Sequence, residues 1–250
     1  MKIALITGGS RGLGKSMAQH LARAGHGVII TYQSRATEAQ TVVTELPASG
    51  VKATALQLDA GQAETFDAFA DAVRTALQST WSVSRFDFLV NNAGMGIYAP
   101  INDVKLQQFD QLMNVHLKAP FFLSQKLFPL INDGGRIINI SSGLTRFSYP
   151  GYAAYATMKG GVEVMTRYMA KEFGARGIAV NTLAPGAIET DFGGGAVRDN
   201  AELNKMIASQ TALGRVGLPD DIGGAIATLL SDESKWINGQ RIEVSGGIYL

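Results

Sequence analysis

Seven short runs dominated by apolar and β-branched residues punctuate this chain: "IALIT", "GVIITY", "ATALQLD", "FDFLVNNA", "RIINIS", "IAVNTLAP" and "QRIEVSGG". Each except the last is followed by a longer stretch with helix-like apolar spacing, so strand and helix alternate throughout. Apolar strands joined by helical crossovers predict a doubly wound α/β fold. Its sheet is mostly parallel and has helices on both faces, because right-handed βαβ units place them there.

The 250 residues, 46% hydrophobic and 17% charged, suit one such domain spanning 1–250. No linker or internal repeat divides them, and "LPASGV" reads as a turn. With 22 Lys+Arg against 21 Asp+Glu and no run of like charge, neither nucleic acid nor an anionic membrane is expected as a partner. The chain lacks cysteine, which removes disulfides and thiolate chemistry and agrees with a reducing, cytoplasmic compartment. The N-terminal apolar run flows straight into glycines, reading as a buried strand rather than a signal peptide. No stretch of about 18 apolar residues offers a membrane span. His20, His26 and His116 have no metal-ligand spacing, and no metal is expected.

After the first run comes "TGGSRGLG", residues 7–14, and then the helical "KSMAQHLARAG". A strand entering a helix through glycines lets backbone approach a diphosphate, whose charge is favoured by unpaired N–H groups and the helix dipole. The spacing differs from the general G-x-G-x-x-G fingerprint. With "NNAG" at 91–94, "YATMK" at 155–159 and "APG" at 184–186, the turn resembles the short-chain dehydrogenase/reductase family along essentially the whole chain, in particular members of the 3-oxoacyl-thioester (acyl-carrier-protein) reductase kind. The resemblance implies a Rossmann-type sheet.

Where an acid would hold the adenosine ribose of NAD, about 20 residues beyond the glycines, this chain has Tyr32. Arg11 and Arg35 offer guanidinium groups suited to a 2'-phosphate, the bland alternative being that both are simply solvated. NADP(H) is therefore expected over NAD(H). The resemblance implies a cofactor site of Gly8, Ser10, Arg11, Gly12, Leu13, Gly14, Tyr32, Arg35, Asp59, Asn91, Ala93 and Gly94, with Tyr155, Lys159, Pro185, Gly186, Ile188 and Thr190 towards the nicotinamide. Asp59 could equally cap a helix.

"YAAYATMKGG" holds two phenols. On a helix Tyr155 lies about 40° from Lys159 and Tyr152 about 20°, so direction admits both. Tyr152 sits so close to Pro150 and Gly151 that it can precede the first full turn. A ketone taking up hydride needs a proton donor and a second hydrogen-bond donor. An ammonium ~4 Å from the phenol contributes roughly 4 kcal/mol at an effective dielectric near 20, enough to lower its pKa by up to about 3 units. Strand alternation sends Ser141 and Ser142 to opposite sides. The resemblance selects Ser142, thirteen positions before Tyr155, and completes the catalytic set with Asn114, Tyr155 and Lys159; Asn114 would hold a water extending the proton relay. Enoyl-thioester reductases of the wider family place the tyrosine seven positions before the lysine, where Tyr152 stands.

Met95, Tyr98, Leu144, Phe147, Tyr149, Tyr152 and Phe192 are candidates for an apolar substrate wall, and Arg146 for an anionic substrate group. The segment around "GAIETDFGGGAVRDN" lacks periodicity and suggests a substrate lid at about 187–210. "ATMKGGVEVMTRYMAKEFG" is apolar around most of its circumference, and the resemblance implies a homodimer or homotetramer. The expected function is hydride transfer between NADP(H) and a small-molecule carbonyl or secondary alcohol. A non-catalytic NADP(H)-binding sensor and a methyltransferase on a similar sheet are the rivals from other classes.

Overall fold

The structure, a computed structural model, describes residues 1–46 and 50–250. The expected turn at 46–51 therefore lies partly outside the described residues. All seven runs are strands: β1 (Ile3–Ile6), β2 (Gly27–Tyr32), β3 (Ala53–Gln57), β4 (Phe86–Asn91), β5 (Ile131–Ile140), β6 (Ala179–Pro185) and β7 (Arg241–Val244). They form one sheet in the order β3-β2-β1-β4-β5-β6-β7, every neighbouring pair parallel.

Alternation along each strand feeds two cores. Leu5, Ile29, Leu89, Ile137 and Val180 meet α3 (Phe66–Trp81), α5 (Ala119–Leu127) and α6 (Ala153–Phe173) on one face. Ala4, Ile6, Val28, Ile30, Val90 and Leu183 meet α1 (Gly12–Arg23), α2 (Ala36–Glu45) and α9 (Pro219–Leu229) on the other. Each large apolar side chain fully buried this way, Phe66 or Leu77 for example, contributes about 1.5–3 kcal/mol.

Between β4 and β5 the chain follows an unbroken helical path: α4 (Leu106–Met113), a five-residue π turn at Asn114–Lys118, then α5. Between β6 and β7 lie α7 (Ala196–Asp199), α8 (Ala201–Ser209) and α9. The segment expected to lack periodicity thus contains two short helices. Gly193, Gly194 and Gly195 precede them with φ of 61°, 77° and 81°, a left-handed run that breaks the helix and explains why no periodic pattern is legible there. The chain winds outward from β1 to β3 and returns to β4, so the sheet's switch point lies between β1 and β4, where open α/β sheets bind ligands beyond their carboxyl ends. No helix among the described residues is long and apolar enough to cross a membrane.

Candidate active site

The loops after β1 and β4 are tied together across this switch point. Thr7 Oγ1 accepts the backbone N–H groups of Asn92 and Ala93, each at 2.9 Å, while Asn92 Nδ2 donates to the carbonyls of Thr7 at 2.9 Å and Gly8 at 3.1 Å. A Cβ on Gly14 would stand 2.1 Å from the Gly8 oxygen, so the first turn of α1 lies directly on the loop. That turn carries no acidic residue, and Arg11 before it caps with no side chain. Its first N–H groups thus await an anion, and the turn fits the diphosphate of a dinucleotide. Ser10, Gly12 and Leu13 belong to the same turn, and Thr190 packs beside Gly12, whose Cβ would lie 3.6 Å from it.

Tyr32 ends β2, half-buried, and no carboxylate occupies 32–35. Arg35 pairs with Glu38 at 2.7 Å and Arg11 with Asp191 at 2.9 Å; all four side chains are about half exposed. Such pairs are weak in water, and a phosphate can compete for either guanidinium. Asp59 accepts the Gly61 N–H at 2.8 Å and the Gln62 side chain at 3.1 Å, capping its own turn. Ala93 and Gly94 lie on the rim, whereas the Asn91 side chain turns inward and donates to Ser124 Oγ at 3.0 Å and Asn139 Oδ1 at 2.8 Å. The Asn91 side chain therefore braces the floor of the crevice. Beyond β6, Pro185 is buried, Gly186 lies against Ser245, and Ile188 bridges to Gly217.

Ser142, Tyr155 and Lys159 come together at the ends of β5 and α6. Ser142 initiates a short turn at 143–145, accepting the Leu144 N–H at 3.3 Å, and its hydroxyl stands on the side of the Tyr155 phenol, where it counters the effect of burial on that phenol. Ser141 faces elsewhere, to Glu163 Oε1 at 2.7 Å. Tyr155 lies inside α6 and is buried; Tyr152 is the non-helical residue before it, half-buried beside Tyr98.

The electrostatics differ from expectation. Lys159 Nζ donates to the Ile140 carbonyl at 2.7 Å and stands 5.6 Å from the Tyr155 ring centroid. Burial lowers its pKa to about 7. Burial also pushes the Tyr155 phenol above its ordinary value, opposed by the Ser142 hydrogen bond. The expected lowering of the phenol by the ammonium does not set its direction: burial is the largest cause for both groups, and Lys159 is not among the groups that shift Tyr155.

Asn114 opens the π turn, partly buried, and its side chain makes no hydrogen bond among the described residues. His116, two residues on, takes the inward position: it is buried, its ring meets Tyr155 edge-on at 5.0 Å, and its Nε2 contacts the Met95 backbone. A Cβ on Gly94 would come within 2.8 Å of this ring. Burial and nearby Lys159 lower the His116 pKa to about 3, so the imidazole is neutral at ordinary pH. The sequence signalled His116 only as a lone histidine.

Met95, Leu144 and Tyr152 pack around Tyr155, with Phe192 at 5.6 Å and Tyr98 against Tyr152 at 5.5 Å. This makes one mouth of the crevice apolar. Phe147 instead packs on Tyr249, and Arg146 is engaged by Glu243 at 2.8 and 2.9 Å, which removes it as a free anion ligand. Among the described residues no group of three His, Cys, Asp or Glu gathers as a metal site.

Residues 8–249 match the family described as Enoyl-(Acyl carrier protein) reductase. The chain is 35% identical over 258 residues to the hydroxynaphthalene reductase-like protein Arp2 of Metarhizium brunneum, covering 98% of this chain and 94% of that one. Among solved structures it is similar to the angucycline C-6 ketoreductase LanV with bound NADP (TM-score 0.94, 34% identity, 99% and 95% of the two chains). It is also similar to LugOII, described as a promiscuous reductase catalysing keto-reduction at C1 during lugdunomycin biosynthesis (TM-score 0.93, 39% identity, 98% and 96%). The chain belongs to the short-chain dehydrogenase/reductase family, as its fold and crevice already indicated.

Proposed function

We propose that the protein is an NADP(H)-dependent ketoreductase, transferring hydride between the nicotinamide and a carbonyl or secondary alcohol. The observation that carries this reading is the meeting of the Ser142 hydroxyl and the Tyr155 phenol, one helical turn from Lys159, whose surrounding cavity is also lined by Thr7 and Ala93 of the cofactor crevice. Gly8 to Gly14 would hold the diphosphate, with Arg11 and Arg35 at the 2'-phosphate. Thr190 and the stretch from Pro185 to Ile188 would border the nicotinamide end. NADP(H), when bound, supplies the hydride chemistry.

The chain's own groups manage charge at the carbonyl oxygen. Tyr155, kept protonated at neutral pH by burial, gives its proton to that oxygen. Ser142 donates a hydrogen bond to it. Lys159 is the neighbouring cation when the phenolate forms, and it would bind the ribose hydroxyls of the cofactor. The names of LanV and LugOII as ketoreductases support a ketone rather than an enoyl substrate. So does the position of Tyr152 outside the helix. The apolar mouth around Met95, Leu144 and Phe192 suits a hydrophobic carbonyl compound, 3-oxoacyl thioesters included, with residues 187–210 as its lid.

α5 and α6 leave Phe121, Val164 and Tyr168 exposed, the last at 68%, and this outer face supports a homodimer or homotetramer. NADPH oxidation across a panel of ketones, with NADH in parallel, tests the whole reading. Tight NADPH binding without turnover on any carbonyl would leave the sensor as the better account, and binding of S-adenosylmethionine in place of NADPH would favour the methyltransferase.

A further inference from the structure

Residues 246–249, just after β7, run alongside residues 210–213, where the segment at about 187–210 rejoins the body of the fold. The two stretches pair as a short antiparallel ladder. The Ala212 N–H donates to the Gly247 carbonyl at 3.2 Å, the Leu213 N–H to that of Gly246 at 3.1 Å and the Tyr249 N–H to that of Gln210 at 3.0 Å, with Thr211 bridged to Ile248. The Tyr249 hydroxyl adds a bond to Gln210 Oε1 at 2.6 Å. The other end of the lid segment is held separately: Gly217 donates to the Ala187 carbonyl at 2.9 Å and accepts the Glu189 N–H at 3.0 Å.

The same strap grips the turn that presents Ser142. Arg146 donates to the carbonyls of Ile248 at 2.5 Å and Tyr249 at 3.3 Å. The Tyr249 ring packs on Phe147 at 4.5 Å, and Phe147 lies over Gly143, where a Cβ would come within 3.0 Å of its ring. Gly143 directly follows Ser142, and its carbonyl accepts the N–H groups of Arg146 at 2.9 Å and Phe147 at 3.3 Å. Tyr249 therefore touches both sides, its N–H and hydroxyl on the lid's far hinge and its ring on the Ser142 turn.

The backbone of Tyr249 is unusual as well. Its φ is 54°, and Ser82 is the only other non-glycine residue with positive φ among the described residues. A bulky side chain keeps left-handed backbone only where its surroundings over-determine it, and such outliers cluster at functional segments. Burial alone does not demand it, since Tyr249 remains 39% exposed.

We propose that Tyr249 is a positioning residue for carbonyl reduction: through it, the strap after β7 couples the far hinge of the substrate lid to the turn presenting Ser142, so that the lid closes in register with that hydroxyl. The role rests on the reading of Ser142 and Tyr155 as the ketoreductase pair and of 187–210 as the lid. The coupling of hinge to turn is testable without turnover.

Hydrogen exchange of the full chain reads the coupling directly. In Tyr249→Ala, amides at 210–213 and at 143–147 should both exchange at least about tenfold faster than in the wild type, while those at 187–189 and 217 keep their rates. Tyr249→Phe keeps the ring on Phe147 and loses only the hydroxyl bond to Gln210. It should speed exchange about threefold at 210–213 and leave 143–147 unchanged, and it decides the matter should the alanine variant not fold. Faster exchange confined to 245–250 in either variant overturns the proposal.

Kinetics then test the role in reduction, with 1-tetralone and ethyl 3-oxobutanoate as probe ketones. Hinge changes alter kcat and KM together, and misplacing an oriented group is costly, so Tyr249→Ala should raise KM for the ketone about fivefold and lower kcat about tenfold. Its Kd for NADPH should stay within about twofold of the wild type, because the cofactor crevice is not part of the strap. Tyr249→Phe should recover most of kcat and keep a rise of about twofold in KM. A merely structural residue would lower Tm and leave kcat and KM of the folded protein alone, so unchanged kinetics in folded Tyr249→Ala refutes the role. Absence of all ketone reduction in the wild type would instead remove the ketoreductase reading, and the exchange rates alone would then decide the coupling of hinge and turn.

Discussion

Arg241 Nε meets Glu163 Oε1 at 2.8 Å, an ion pair that joins β7 to the helix carrying Tyr155 and Lys159. The same carboxylate oxygen accepts the hydroxyls of Ser141 and Thr145, each at 2.7 Å, and Arg241 Nη2 reaches the Ser142 carbonyl at 3.3 Å. The turn presenting Ser142 is therefore held by a largely enclosed charge network, with side-chain exposure of 15% for Glu163 and 25% for Arg241. Glu163→Leu removes the shorter acceptor of two hydroxyls, leaving them only the carbonyls of Lys159 at 3.4 Å and Ser142 at 3.0 Å, takes a partner from Arg241, and should destabilise the fold by about 2–3 kcal/mol, measured by urea denaturation. Glu163→Gln, which keeps one oxygen acceptor, should cost less and retain more kcat. Equal losses for the two would mean that the network does not hold the turn.

Buried titrating groups make stability depend on pH in a way that can be signed. The folded pKa of Lys159 is about 7 against an ordinary 10.5. Between those values the unfolded chain binds the extra proton, so this group makes stability rise with pH across that window. The phenol of Tyr155 is raised above 10.0, so above that pH the unfolded chain loses a proton the folded one keeps, and stability falls. Lys159→Met should flatten the rising limb of Tm against pH from about 7 to 10.5 and leave the fall above 10 in place.

The strands were legible because each is a short apolar run, and a run buried on both faces needs no alternation to be recognised. Family spacing, not alternation, selects Ser142 over Ser141, and the Ser141 hydroxyl is engaged by Glu163. Asn114 was named through the family resemblance alone. What the sequence did not signal is the π turn that Asn114 opens: it changes the angle per residue locally, and it carries His116 against Tyr155. The direction of the Tyr155 shift was missed for another reason. Sequence separation indicates that a lysine is near but not that its ammonium is taken by Ile140 or that both groups are enclosed.

Cofactor preference should follow the end of β2. Tyr32→Asp places a carboxylate where a 2'-phosphate would lie, and should raise KM for NADPH at least tenfold while sparing NADH, since unpaired like charges cost several kcal/mol. Arg35→Ala should weaken NADPH in the same direction by a smaller factor. A variant that loses both cofactors equally would place the phosphate elsewhere.

The glycine turn leaves no room for a side chain. A Cβ at position 14 would stand 2.1 Å from the Gly8 oxygen and 2.8 Å from Asn92 Nδ2, both parts of the bond set that ties β1 to β4. Backbone cannot yield as a flexible side-chain tip can. Gly14→Ala should abolish NADPH binding in a fluorescence titration and lower Tm by several degrees. Gly224→Ala, on α9, where a Cβ would meet only the His20 ring at 3.7 Å, an ordinary contact, serves as the control and should change neither.

The two tyrosines of "YAAYATMK" make opposite predictions for one substitution. Tyr155 is buried inside α6 against Ser142 and His116, whereas Tyr152 precedes the helix and stacks on Tyr98 at the mouth. Removing the Tyr155 hydroxyl takes away the proton donor but none of the ring packing. Tyr155→Phe should therefore lower kcat by about 10²–10⁴-fold, the range for a general acid, with NADPH affinity and Tm nearly unchanged. Tyr152→Phe should change KM for the carbonyl substrate by a few-fold and kcat little. The reverse ranking, with Tyr152→Phe inactive and Tyr155→Phe active, would move the acid to the mouth of the crevice and point to reduction of a conjugated C=C bond instead of a ketone.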